Sequence, residues 1–426
     1  MFDAERYLLS LELFGMRFGL DRMRRLMTVL DSPQERFASV QVVGTNGKSS
    51  TARMTAALLQ RHGVSTGAYL SPHLTTFAER IEVEGQPISR ERFAVAVQRA
   101  AQAAALVDRT LGEDDRVTQF EALTAAAYWE LARSGVEAAV VEAGLGARYD
   151  ATSVIDSRVL VLTNVGLEHT RWLGPTERHI AEEKLAVLRP GATLIAGPLG
   201  PEAAAVAERV GTERGARLFR AGHDFRAVGD RPFTVETPAS AYPGIELRAL
   251  GGFQRANFAA AVAAAEAFMG RALDAGAVRR AARELVLPGR LEVVAQHPLV
   301  VLDGAHNPSG ARALAESLPN VVGDRPVTAV VSILDDKDAA GILSTLVPLS
   351  DGAVFTRSSR QGALPPAVLE SLWGQLGGHR GEVAANPVKA VAAARRRAGH
   401  DGAVLVTGSI YLLAELVRAP ALEAAR

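Results

Sequence analysis

The sequence predicts an α/β protein with a larger N-terminal domain on a mostly parallel sheet and a smaller C-terminal domain of Rossmann-like type. Three observations carry that prediction. Short β-branched runs alternate with Ala-rich helical segments along the chain. A glycine-rich turn joins the first strong strand to the first long helix. The alternation breaks at LVLPGRLEVVAQHP, residues 285–298, where two prolines and a glycine intervene, and then restarts. The 426 residues also exceed what one compact core usually serves.

Taken in order, ERYLLSLELF and LDRMRRLMTVL carry apolar residues at helical spacing, so residues 1–30 read as helices. After Pro33, SVQVV (39–43) is a strand and GTNGK the turn. TARMTAALLQRHG is a helix closed by Gly63, and TGAYL is the next strand. Helices follow near 91–110 and 121–134, then strands VEAAVVE (136–142) and RVLVLTNV (158–165), helix 177–189 and strand TLIAG. Residues 223–250 hold less alanine and alternate more, which predicts a small antiparallel excursion before helix 255–269. The expected domains are 1–285 and 299–426, with 286–298 as linker. The second series runs strand LVVLDG, helix SGARALAESL, strand VTAVVSIL, a helix near 338–347, strand GAVFT, strand GAVLVTG and helix YLLAELV.

Composition bounds the function. Hydrophobic residues make up 48% and charged residues 22%, with formal net charge zero, so no global field recruits nucleic acid or an anionic membrane. The absence of cysteine excludes disulfides, thiolate metal sites and a cysteine nucleophile. The start lacks a basic segment followed by a long apolar run, and no stretch reaches the ~18–20 apolar residues of a membrane span. A cytoplasmic enzyme is the expectation.

The decisive local feature is Gly44-Thr45-Asn46-Gly47-Lys48-Ser49-Ser50 between strand and helix. Glycines let the backbone curl so that amide hydrogens point inward, and the helix N-terminus adds positive potential. Lys48 supplies a point charge for phosphates, and a neighbouring hydroxyl can ligate Mg²⁺. The N-terminal domain is therefore expected to be a P-loop ATPase domain. The common pattern places a further glycine at position 42, where this chain has Val42.

GTNGK in this setting resembles the loop of the Mur ligase superfamily, whose members join an amine to a carboxylate through an acyl phosphate. LSPHLTTFAERIEVEGQPIS (70–89), VVEAGLGARYDATSV (140–154), LEHTRWLG (167–174), FQRAN (253–257), PGRLEV (289–294), VLDGAHNP (301–308) and TGSIYLLAEL (407–416) together resemble one branch of it. That branch is the folylpolyglutamate and dihydrofolate synthases, and the blocks occur in family order. The resemblance implies an ATP-dependent ligase that adds L-glutamate to folates, with dihydropteroate as a further acceptor. The implied reactants are ATP, glutamate and a folate or dihydropteroate, with two Mg²⁺ and a monomeric enzyme. Two departures stand out. Ser49 occupies the position after the lysine where the family usually has glycine, and Leu70 replaces a threonine common before Ser-Pro.

The same resemblance assigns residues. Gly44 to Ser50, Asn257, Arg290 and Asp303 are implied at ATP. Ser71, Glu142 and His169 are implied at one Mg²⁺, and Lys184, if carbamylated, at a second. Lys48, Lys184 and His306 are the implied catalytic groups. Thr118, Gln119, Phe120, Glu121, Tyr149, Asp150 and Ala151 are implied at the pterin-bearing substrate; Gln119 stands where bifunctional members usually carry an aromatic residue. Each has a plainer reading: an N-capping serine, a strand-end glutamate, a core histidine or phenylalanine, or a lysine paired with Glu182 or Glu183 on its helix.

Two rivals remain. A cell-wall Mur ligase would carry a UDP-binding domain before the loop, and only 43 residues precede Gly44. An ATP-gated regulatory protein would need neither the pterin-side blocks nor Asp303 and His306.

Overall fold

The computed structural model describes residues 2–11, 19–113 and 115–419, which form two units. The first comprises residues 1–71, 76–247 and 256–285; the second comprises 72–75, 248–255 and 286–426. Among the described residues no helix is long and apolar enough to cross a membrane.

In the first unit the strands are β1 (Ala38–Val43), β2 (Thr66–Tyr69), β3 (Ile81–Val83), β4 (Gln86–Pro87), β5 (Ala138–Glu142), β6 (Val159–Leu162), β7 (Thr193–Ala196) and β8 (Arg217–Arg220). They form one sheet in the order β4-β3-β2-β5-β1-β6-β7-β8. From β2 to β8 the pairing is parallel, while β3 and β4 extend the edge antiparallel. The central strands are apolar at nearly every position because helices cover both faces; β5 and β6 are buried throughout. The excursion expected over 223–250 is present as β9 (Arg226–Val228), β10 (Phe233–Glu236) and β11 (Ala241–Ile245), an antiparallel three-stranded sheet.

Helices Ala4–Ser10 and Asp21–Val29 occupy the amino-terminal stretch. The helical pattern read over ERYLLSLELF therefore reaches Ser10, and its residues 12–14 lie outside the described residues. Helix Pro201–Glu213 with β8, and helix Ala275–Glu284, are further elements that the pattern reading did not separate.

The second unit holds β12 (Glu292–Gln296), β13 (Leu299–Leu302), β14 (Val327–Val331), β15 (Gly352–Phe355), β16 (Gly381–Val383) and β17 (Ala403–Thr407), ordered β12-β13-β17-β14-β15-β16. Five strands are parallel, and β12 pairs antiparallel with β13. Residues 286–298, read from the sequence as linker, thus contain an edge strand of this sheet. Its side chains are mostly half-buried, so it lacks the apolar run that marks the inner strands. Alternation is clean within the sheet. Val301, Ala329, Val331 and Leu405 face one core, and Val300, Leu302, Val330 and Val404 face the other.

Candidate active site

Register places the chemistry of the first unit. In the parallel sheet β1 lies between β5 and β6, with Val42 opposite Glu142 and Val43 opposite Leu162. All three strands therefore release their chains at one carboxyl edge, where open α/β sheets bind ligands. The register also accounts for Val42: it is a fully buried residue still inside β1, so the loop begins at Gly44.

The loop is tied to the segment after β6. The Thr45 amide donates to the Asn164 carbonyl at 3.0 Å, and the Asn46 amide donates to Asn164 Oδ1 at 2.9 Å. Thr163 Oγ1 donates to the Asn46 carbonyl at 2.6 Å, and the Gly166 amide donates to Thr45 Oγ1 at 3.0 Å. Thr163, Asn164 and Gly166 shape the loop and were missed in the sequence, although polar residues closing an apolar strand at this edge were a usable signal. Gly44 is obligatory, since a Cβ there would lie 1.9 Å from Thr163 Oγ1. Gly47, at φ 79°, caps helix Lys48–Arg61, and a Cβ on it would lie 2.7 Å from Asn257 Oδ1. Asn257 is thereby placed against the loop.

Lys48 Nζ donates to the Gly44 and Thr45 carbonyls at 3.0 and 2.9 Å. Two of the three ammonium protons hold the lysine across its own loop. Lys184 Nζ reaches the same Gly44 carbonyl at 2.8 Å from the last turn of helix Glu177–Leu185. It is not a surface lysine paired on its helix. Glu183 pairs with Arg148 and Glu182 with Arg209, while Lys184 is 4% exposed. Burial lowers its pKa to about 7, helped by the Lys48 charge; Glu168 and Asp150 act in the opposite direction.

Glu142 ends β5 and is 3% exposed. Its Oε1 accepts from Ser49 Oγ at 2.9 Å and its Oε2 from the Ser71 amide at 2.8 Å. Ser49 Oγ also lies 3.0 Å from the Ser71 carbonyl oxygen. Ser50, by contrast, is buried at 3% exposure. Among the described residues no group of three His, Cys, Asp or Glu side chains gathers. An oxygen-rich set with one carboxylate fits Mg²⁺, a hard cation that takes few protein ligands and completes its shell with water and phosphate. His169 starts helix Thr170–Leu173 in a left-handed conformation, at φ 52°, in the segment after β6 at the same sheet edge. Its Nε2 lies 4.0 Å from Glu168 Oε1.

The predicted substrate-side residues divide. Phe120 stacks on Tyr69 with centroids 6.3 Å apart, and Tyr149 is exposed. Asp150 is buried: Oδ1 accepts from the Thr152 amide and hydroxyl, and Oδ2 from the Leu145 amide at 2.8 Å. Burial raises its pKa. Ala151 begins the short helix that Asp150 caps. Gln119 and Glu121 turn inward. Gln119 Nε2 donates to the Leu8 carbonyl at 2.8 Å, and Glu121 takes the Arg22 guanidinium Nε on both oxygens, at 3.0 and 3.1 Å. Glu121 also closes a capping box with Thr118. The polar groups of these two residues are thus engaged in hydrogen bonds within their own unit.

In the second unit Asp303 is 4% exposed, accepting from the Leu291 amide at 2.9 Å and the Ala305 amide at 2.8 Å. Burial raises its pKa, opposed by the Arg290 charge. His306 Nδ1 lies 2.8 Å from the Gly304 carbonyl, which can only accept, so that nitrogen carries the proton.

The chain matches the Mur ligase middle domain over residues 42–265 and the Mur ligase glutamate ligase domain over 289–410. It is 31% identical to the Bacillus subtilis dihydrofolate synthase/folylpolyglutamate synthase, covering 97% of each protein. It is 35% identical to a Haloferax volcanii probable bifunctional folylpolyglutamate synthase/dihydropteroate synthase, of whose length it spans 50%. Among solved structures, Mycobacterium tuberculosis folylpolyglutamate synthase complexed with ADP and AMPPCP superposes at TM-score 0.92, with 33% identity and coverage of 97% and 98% of the two chains. Escherichia coli FolC with DHPP and ADP gives 0.87 at 29% identity, covering 97% and 95%. The Yersinia pestis bifunctional enzyme with AMPPNP and Mn ion gives 0.85 at 28%, covering 97% and 96%. By the length of these matches and the order of the two domains, the chain belongs to the Mur ligase family, in its folylpolyglutamate/dihydrofolate synthase branch.

Proposed function

We infer that this chain is an ATP-dependent ligase that adds L-glutamate to folates, with dihydropteroate as a second acceptor. The observation that carries the inference is the convergence at one sheet edge of a lysine-bearing phosphate loop, the buried carboxylate Glu142 and the buried Lys184. Relatives with those activities align over the whole chain, and solved members bind ADP, DHPP or Mn ion.

The chemistry follows from these groups. The loop amides and Lys48 bind the ATP phosphates, and Asn257 lies beside the loop. Glu142, Ser71 and His169 would hold a divalent cation, which supplies charge neutralisation at the phosphates. A folate carboxylate oxygen attacks the γ-phosphorus and ADP leaves, a transfer governed by positioning and electrostatics. The glutamate α-amine then attacks the acyl phosphate carbonyl, phosphate departs, and the amine gives up a proton as the amide forms. Phe120 and Tyr149 offer aromatic surface for a flat pterin. Lys184 with its pKa near 7 is about half neutral at pH 7, against roughly one in a few thousand for an ordinary lysine. Neutral amine is the form that takes up CO₂, which supports a carbamate there as ligand to a second cation. The family resemblance assigns Arg290 and Asp303 to ATP and His306 to catalysis, and a monomer is the proposed assembly.

The test is mass spectrometry of products from ATP, Mg²⁺, glutamate and either tetrahydrofolate or dihydropteroate. Glutamylated product with both acceptors supports the full inference, and product with tetrahydrofolate alone removes the second activity. Steady ADP release without folate or glutamate would replace the ligase by an ATP-gated regulator. Lys48→Ala should abolish product, and full activity in that variant would overturn the mechanism.

A further inference from the structure

Two buried polar atoms that lack a hydrogen bond among the described residues, Gln34 Oε1 and Arg189 Nε, belong to residues lining one cavity of the first unit. The cavity measures about 290 Å³, and Arg24, Thr28 and Glu35 share its wall. Chain order fixes its place. Helix Asp21–Val29 and the short helix Pro33–Glu35 lead into β1, Ser153 and Val154 precede β6, and Arg189 precedes β7. These three strands are parallel neighbours, so the segments before them meet at the amino edge of the sheet. The phosphate loop leaves β1 at the opposite edge, and the cavity is separate from it.

The walls are held by contacts that leave the two atoms unpaired. The Ser32 amide donates to the Met27 carbonyl at 2.8 Å, and Asp31 and Ser32 keep left-handed backbone at φ 63° and 47°, a costly state for residues with a Cβ. Arg189 Nη2 donates to the Ile155 carbonyl at 2.8 Å. Its Nε lies 3.2 Å from Asp156 Oδ1, where charge attracts but the angle makes no hydrogen bond. The Arg24 guanidinium is mostly exposed and meets Asp21 at 3.4 Å, a surface pair of small worth.

A buried donor and a buried acceptor without partners cost stability unless something enters to pair them. One molecule pairs both if it is an anion that carries a donor of its own. Two guanidinium groups against the single carboxylate of Glu35 favour negative charge, and the planar arginine fork matches phosphate oxygens. A volume of about 290 Å³ is room for roughly ten waters, more than a bare phosphate fills. We propose that this cavity binds a small phosphate monoester bearing hydroxyl groups, at a site apart from the nucleotide. Arg24 and Arg189 hold its phosphate, and Gln34 Oε1 accepts from one of its hydroxyls.

The test is calorimetric titration of ribose 5-phosphate into the full chain with saturating Mg²⁺ and ADP, so that the phosphate loop is filled. Wild type should bind the ester with a Kd of about 1 mM or tighter. Arg24→Gln, at an exposed side chain that the fold does not need, should weaken binding about tenfold or more, and so should Gln34→Leu. Lys48→Ala should keep the affinity, because Lys48 belongs to the other edge of the sheet. Ribose and inorganic phosphate should each bind about tenfold more weakly than the ester. Hydrogen exchange should show the ester adding protection over residues 24–35 and 150–156. No binding of the ester to wild type would leave the cavity to water and overturn the proposal. Undiminished binding in Arg24→Gln would put the ester elsewhere and overturn it too. Malate bound more tightly than the ester would overturn the assignment to phosphate. If ADP itself failed to bind, the ligase inference would suffer alone, since Arg24→Gln set against Lys48→Ala still tells the cavity from the loop.

Discussion

Lys48 and Lys184 donate to one carbonyl oxygen, that of Gly44, at 3.0 and 2.8 Å. Two ammonium groups on a single acceptor repel, and the buried one yields. Lys184 accordingly titrates near 7, with burial the larger cause and Lys48 the second. The shift is downward, so the unfolded chain binds a proton that the folded chain does not between about pH 7 and the ordinary lysine range near 10.4. Stability therefore rises with pH across that window. Lys184→Met removes the buried cation and should melt higher than wild type at pH 6–7. The difference should shrink as pH climbs towards 10, in melts run without bicarbonate. A constant difference across pH would contradict the shift. With ¹³C-bicarbonate at pH 8, wild type should show a carbamate resonance that Lys184→Met lacks.

Gly47 and Gly63 offer a matched pair at the two ends of helix Lys48–Arg61, with φ of 79° and 80°. A methyl group on Gly63 meets nothing within 4 Å, so Gly63→Ala bears only the left-handed strain, about 1–2 kcal/mol of stability. The same substitution at Gly47 adds contact with Asn257 Oδ1 and pushes that amide from the loop. Isothermal titration with ADP should show at least a tenfold loss for Gly47→Ala and little change for Gly63→Ala. Equal losses would mean that strain alone, not Asn257, sets the loop.

How far the sequence reached depended on where side chains end up. Inner strands such as β5 and β17 are buried on both faces, and a continuous apolar run announces them. Edge strands β12 and β16 are half-exposed, and their residues, EVVAQ and GEV, carry no such signature. In the site, Glu142 and Lys48 were legible because a carboxylate closing a buried strand and a lysine in a glycine loop each have a local reason. The inward turn of Glu121 had a local sign too: Thr118-Gln119-Phe120-Glu121 fits the capping-box pattern. Its partner Arg22 lies 99 residues away, and no local pattern joins the two.

That pairing yields a prediction of its own. Arg22 and Glu121 are both buried, with Asp115 at 2.9 Å as the second partner of the guanidinium. Glu121→Gln leaves a buried cation with half its compensation and should cost about 3 kcal/mol, within the range for broken buried pairs. Chemical denaturation should record that loss. The folate KM, measured where the variant is folded, should move less than it does in Phe120→Ala. A folate KM raised tenfold or more in Glu121→Gln, with stability intact, would return Glu121 to direct substrate contact.

Asp303 poses the same question in the second unit, and its geometry answers it differently. Its two oxygens hold the Leu291 and Ala305 amides, bracketing Arg290 between a fixed turn and its own carboxylate. Leu291 sits at φ 51°, which a branched side chain adopts only under constraint, and its side chain is 1% exposed in the core. Asp303→Ala removes both acceptors, strands two buried amides at about 1–3 kcal/mol each, and lets the turn that carries Arg290 relax. Arg290→Ala leaves the turn intact. Both variants should lose ligase activity, but Asp303→Ala should also melt several degrees lower while Arg290→Ala melts near wild type. If Arg290→Ala lost as much stability as Asp303→Ala, the guanidinium would be holding the turn and Asp303 would not be the anchor. If Asp303→Ala kept its melting temperature, the Leu291 and Ala305 amides would not depend on the carboxylate, and its role as anchor of the turn would fall.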